Sequence, residues 1–207
     1  MYKLILFDFD GTIANTLDVG LPIYNQLAKK YNFVEIKSIE EITKFNLIDS
    51  IKSHKISKIK FPFYLREFLK LLNKNIENVK IYDGMKEVIR KLNKDYKLGI
   101  ISANSKENIT KFLEMNDLKF CFDFVYNYPL LFGKSKVFKK ILKSKKLNKK
   151  DIIYIGDEVR DVMAANKTEI DIIAVTWGIN NKNLLQTKKP KFIAEKPIDI
   201  LKYFYKN

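Results

Sequence analysis

The sequence predicts an α/β protein, a doubly wound parallel sheet with a small all-helical domain inserted after the first strand. Short apolar runs that end in polar or small residues alternate with helix-patterned segments, as strands buried on both faces and their crossover helices do. Three of those runs end at Asp8, Ser102 and Asp157, where sheets of this kind bind ligands. Residues 14–81 interrupt the alternation with helical periodicity alone.

The elements follow in order. KLILFDF, residues 3–9, is the first strand. In the insert, Leu17, Leu21, Tyr24 and Ala28 recur at helical spacing, as do Phe68, Leu71 and Leu72 further on, with Pro22 and Pro62 as the only punctuation. Residues 1–13 and 82–207 then form the core domain and 14–81 the helical one, joined near 14–17 and 81–84. The core continues with a helix over 83–94, the strand YKLGIIS at 96–102, a helix over 105–116 and the strand DFVYN at 123–127. A helix over 134–147, the strand DIIYIGD at 151–157, a helix over 159–168 and the strand DIIAVTW at 171–177 come next. KFIAE, at 191–195, is a weaker edge strand.

With 207 residues, 46% of them hydrophobic and 13% aromatic, the chain can bury a proper core. Its 39 Lys and Arg against 24 Asp and Glu leave +15, which suits nucleic acid, anionic lipid or phosphorylated small molecules. A solvated basic surface accounts for most of it. No aromatic-interleaved basic motif, zinc-ligand cluster or helix-turn-helix pattern accompanies the charge, so no specific nucleic-acid partner is expected. The single Cys121, in the apolar stretch 120–125, reads as a buried structural thiol in a reducing compartment, and the lone His54 as a surface residue. There is neither a signal peptide nor an apolar run of about 18 residues, the minimum for a membrane span, so a cytoplasmic protein is expected. The sequence leaves the oligomeric state open.

The chemistry begins at FDFDGT, residues 7–12, where two carboxylates follow a buried strand with only Phe9 between them. In a strand, residues two apart share a face, so Asp8 and Asp10 repel unless a cation or a reaction uses both. DIIYIGDEVRD repeats the pattern with Asp157 and Asp161. If both strands are central in one sheet, four hard oxygen ligands converge, a set that calls for Mg²⁺. Two further elements suit a phosphate. Ser102 ends its strand and is followed by Ala103, Asn104 and a helix start, whose amides bind anions. Lys134 follows Gly133 where a loop meets a helix, while the other lysines among residues 134–150 read as a solvated face. Thr12 is either a turn hydroxyl or a phosphate contact.

DFDGT, Ser102, Lys134 and GDEVRD together resemble, in order, the four motifs of the haloacid dehalogenase-like (HAD) hydrolases, with the insert resembling that superfamily's small helical cap. GDEVRDVMAAN followed by IIAVTWG looks most like the phosphoglycolate phosphatase-like branch, although Asn15 replaces a common Asp and Lys167–Thr168–Glu169 replaces a usual Ala-Gly helix end. The resemblance implies a Rossmann-like core, Asp8 as nucleophile, Asp10 as general acid/base, and Mg²⁺ held by Asp8, the Asp10 carbonyl and Asp157, with Asp161 beside the metal or orienting Lys134. It implies a phosphatase for a small phosphomonoester, 2-phosphoglycolate being the best single guess. A phosphomutase or a nucleotide or pyrophosphate phosphatase of the same superfamily is the alternative, and a non-catalytic basic nucleic-acid-binding module the remote one.

Overall fold

The computed structural model describes residues 2–38, 41, 59–128 and 133–205; element labels run in chain order among them. His54 lies outside the described residues. Six strands, β1 (Leu4–Phe7), β4 (Lys97–Ser102), β5 (Phe124–Asn127), β6 (Ile152–Gly156), β7 (Asp171–Val175) and β8 (Phe192–Ala194), form one sheet. Its order is β5-β4-β1-β6-β7-β8, and every ladder is parallel. KFIAE supplies an edge strand, as expected, and DFVYN the opposite edge. Because the chain winds from β1 to β4 and β5 and then returns to β6, the winding reverses at β1, whose carboxyl end is therefore the switch point.

Strand alternation fills two cores. Ile5, Phe7, Ile153 and Ile155 face α3 (Met85–Leu92), α4 (Lys106–Met115) and α8 (Pro197–Phe204). Leu4, Leu6, Ile152 and Tyr154 face α5 (Lys134–Ser144), α6 (Val159–Thr168) and α7 (Lys182–Gln186). All four residues of β1 are buried, and each such side chain contributes roughly 1.5–3 kcal/mol of transfer free energy. The departure at Lys167–Thr168–Glu169 has a structural counterpart. Glu169 terminates α6 in the left-handed region, φ 55°, where glycine is usual.

In the insert, α1 (Thr16–Tyr31) packs on α2 (Phe61–Lys74) through Ile23, Leu27, Tyr64 and Leu72. Pro62 lies in the first turn of α2 and so marks a boundary, whereas Pro22 lies inside α1 and marks none. One feature was not anticipated: β2 (Ala14–Asn15) pairs antiparallel with β3 (Lys80–Ile81), tying the two ends of this segment together. Two-residue strands carry too little periodicity to be read from sequence. Cys121 corrects a second expectation. It is only partly buried, because the stretch does not enter the core as a whole and Phe120 is 96% exposed. No helix among the described residues is long and apolar enough to cross a membrane.

Candidate active site

Asp8 is the first residue beyond β1, and its amide donates to Ile155 O at 2.8 Å, extending the ladder toward β6 by one bond. The strand then stops. Phe9 turns fully into the core, its ring edge-on to Phe112 of α4 at 5.0 Å, and Gly11 takes φ 76°. The expectation that Asp8 and Asp10 share one strand face is thereby corrected: once the pleat ends, the loop sends the two carboxylates to different partners. Asp8 meets Lys134, whereas Asp10 accepts from Ser102 Oγ and from Asn104 Nδ2, each at 3.1 Å.

Asp157 follows β6 as Asp8 follows β1, and the parallel register, with Phe7 opposite Ile155, leaves Asp157 one residue beyond the level of Asp8. Thr12 Oγ1 donates to Asp157 Oδ1 at 2.9 Å and the Ile179 amide to Oδ2 at 2.7 Å. A Cβ on Gly11 would lie 2.2 Å from Asp157 Oδ2, so only glycine fits that approach. Asp161, third residue of α6, accepts from the Glu158 amide at 3.3 Å and from Lys134 Nζ at 2.5 Å. Lys134, the first residue of α5 and only 4% exposed, thus bridges Asp8 and Asp161. Carboxylate oxygens of Asp8, Asp157 and Asp161 all lie within 4.8 Å of one another.

The remaining expected residues are arranged differently from the simplest phosphate cradle. Thr12 spends its hydroxyl on Asp157 and is fully buried, so its side chain does not present itself to a phosphate. Ser102 accepts from the Asn104 amide at 2.9 Å while donating to Asp10, and Asn104 Oδ1 accepts from the Ser105 amide and from Asn108 Nδ2. Both side chains therefore orient Asp10, with half-buried Ala103 between them. The loop after β7 carries no side chain whose type points to the site. It supplies the Ile179 amide on Asp157, and its Trp177 Nε1 donates to Thr12 O at 3.1 Å. No side-chain chemistry in that loop advertises a backbone donor.

Burial and the neighbouring acids set the protonation states. Burial pushes Asp157 up to about 7, helped by Glu158 and Asp161 and opposed by the Ile179 amide. Burial also raises Asp8, with Lys134 pulling it back and Asp161 and Asp157 adding to the rise. Burial would lower Lys134, but Asp161 and Asp8 outweigh it and hold the ammonium well above the ordinary lysine range. Asp10 is raised by burial against the hydrogen bonds from Asn104 and Ser102, which favours a carboxyl that retains its proton.

The sequence profile of haloacid dehalogenase-like hydrolases matches residues 5–175. The chain belongs to this family. It is 25% identical over 202 residues to a phosphoglycolate phosphatase of Synechococcus elongatus, covering 96% of this chain and 95% of that one. It is similarly 26% identical over 205 residues to the pyrophosphatase PpaX of Listeria innocua, covering 95% and 94%. A haloacid dehalogenase-like family hydrolase of Streptococcus pneumoniae superimposes with a TM-score of 0.84 over 98% of both chains, at 22% identity, which establishes the common fold. The buried cluster of this hydrolase fits a divalent cation: three carboxylates crowd together with one lysine to balance them.

Proposed function

We propose that this hydrolase is a Mg²⁺-dependent phosphatase that cleaves a small phosphomonoester, 2-phosphoglycolate foremost, through an aspartyl-phosphate. The observation that carries the reading is the division of labour at 7–10. Asp8 is held by a cation in the acid cluster, while Asp10 stands apart on the neutral donors Ser102, Asn104 and Thr16 with its pKa raised. The first arrangement suits a nucleophile and the second a general acid.

An Asp8 oxygen attacks phosphorus in line, the ester P–O bond breaks, and its electron pair leaves on the alcohol oxygen, which takes the Asp10 proton. Asp10, now a carboxylate, accepts a proton from water as the water oxygen attacks phosphorus. The P–O bond to Asp8 breaks, releasing phosphate and restoring both acids. Asp8, Asp157 and the Asp10 carbonyl would hold Mg²⁺, which supplies positive charge to the phosphoryl oxygens. Asp161 keeps Lys134 directed at Asp8. Ser102, Ala103 and Asn104 line the Asp10 side of the phosphate, with the first and third also fixing Asp10. Residues 14–81 act as the cap that reads the rest of the substrate.

The PpaX relatives support pyrophosphate as a second substrate, since the same attack cleaves a phosphoanhydride. A panel of 2-phosphoglycolate, pyrophosphate, nucleotides and sugar phosphates, assayed for free phosphate with Mg²⁺ and with EDTA, tests the proposal. Mg²⁺-dependent release from one of them is expected. Metal-independent halide release from a 2-haloacid, with no phosphate from any ester, would overturn it.

A further inference from the structure

Lys134 is held from more than its two carboxylates. Its Nζ lies 5.2 Å from the ring centroid of Tyr154, in the middle of β6. Tyr154 is fully buried and, among the described residues, its hydroxyl has no hydrogen-bond partner. Nothing in the reaction proposed above uses it. A tyrosine in the middle of a buried strand whose hydroxyl is idle has only its ring left to act with.

The surroundings are shaped to that ring. A Cβ on Gly156 would lie 2.8 Å from Tyr154 Cε1 and 2.5 Å from Asp161 Oδ2, so the glycine leaves room for the ring edge and the carboxylate together. On the α5 side, Phe138 packs against Tyr154 with centroids 5.0 Å apart at 63°, fixing the ring plane. Phe138 and Lys134 are four residues apart on the same helix, one turn, so one aromatic ring is braced by α5 and braces the lysine at its start.

We infer that Tyr154 is a positioning residue whose aromatic face carries the Lys134 ammonium, restricting it to the line between Asp8 and Asp161. Flat carboxylates alone allow Nζ to swing about either oxygen. A π face beneath it removes that freedom, and because both side chains are buried the attraction is stronger than at an exposed site. The ring acts through Lys134 and touches no reacting atom. The kinetic part of this inference rests on the phosphatase reading; the structural coupling does not.

The test is a set of variants in the full-length chain. Tyr154→Phe keeps the ring and should retain kcat within about twofold, while Tyr154→Leu should lower kcat about tenfold with little change in KM. Leu185→Ala, a cavity in the same apolar core but on α7, should cost comparable thermal stability yet spare most of kcat. In EDTA, Tm measured for Tyr154→Leu, Lys134→Met and the double variant should show the double loss to be smaller than the sum of the single ones. Equal kcat losses in Leu185→Ala and Tyr154→Leu, a kcat loss in Tyr154→Phe as large as in Tyr154→Leu, or additive Tm losses would overturn the inference. If the wild type turned over no phosphate ester, the phosphatase reading would fall, and the Tm cycle alone would decide the role of Tyr154.

Discussion

The carboxyl end of the sheet and the helical insert are held by opposite kinds of interaction. At the sheet, Asp8, Asp157 and Asp161 are buried beside buried Lys134, and each carboxylate accepts at least one hydrogen bond from a group on another element. In the insert, α1 and α2 share an apolar and aromatic core, with Tyr64 stacked at 6.0 Å on Phe68 and edge-on to Phe33 at 5.5 Å. Its polar contacts, such as Glu67 with Lys30 at 2.6 Å and Tyr31 at 2.8 Å, lie near the surface. Apolar packing is non-directional and tolerates repacking, whereas buried charges demand defined geometry. The proposed division between a site for chemistry and a cap that reads the substrate follows the same line.

The largest expected effect breaks only the polar side. Asp8→Asn should lower kcat by about a thousandfold or more, because an amide cannot replace the attacking carboxylate, while the insert keeps its packing. Single-turnover phosphate release, with circular dichroism to confirm the fold, measures both. A variant that lost activity and its helical signal together would show that the two regions are not separable.

Lys134→Ala should follow, with a loss of about a hundredfold or more in kcat. Neutralising Lys139, Lys140 and Lys143 together should change kcat less than about twofold, because exposed charges are screened within about 8 Å at physiological salt. The salt dependence of kcat/KM should be where the triple variant differs. Comparable losses from both variants would mean that charge in general, and not the buried ammonium, serves the reaction.

Leu27→Ala probes the other side. A fully enclosed leucine in the insert should cost about 2–5 kcal/mol of stability, read from chemical denaturation. For molecules still folded, kcat should stay within about threefold while the ranking among substrates shifts. A collapse of kcat on every substrate would show that the site depends on the insert for more than recognition.

The smallest effect is a slope. In EDTA, Asp157 holds its proton up to about pH 7 in the folded protein, but only to about 4 when unfolded. Between those values the folded state binds the extra proton, so stability falls as pH rises, by about 1 kcal/mol per unit, and this group adds no further loss above pH 7. Asp157→Asn should remove that part of the slope in a Tm series from pH 4 to 8, and Mg²⁺ should restore stability at the upper end. A slope unchanged by the substitution would relocate the strain to another acid.

Much of this is legible in the sequence. The six parallel strands follow from apolar runs whose spacing leaves room for one crossover helix each, and the convergence of Asp8, Ser102 and Asp157 follows because parallel strands bring their carboxyl ends to one edge. The insert's two described helices were legible from spacing that one face of a helix requires. Those are properties of local periodicity, which sequence carries directly. Tertiary structure alone decided the partners. Where β1 stops cannot be read from KLILFDF, so the parting of Asp8 from Asp10 was not visible, nor was the turning of Thr12 onto Asp157. The Ile179 amide and the Tyr154 ring escaped for a related reason. A backbone donor looks the same in every residue, and an aromatic in an apolar run reads as core until a lysine from another helix is found against its face.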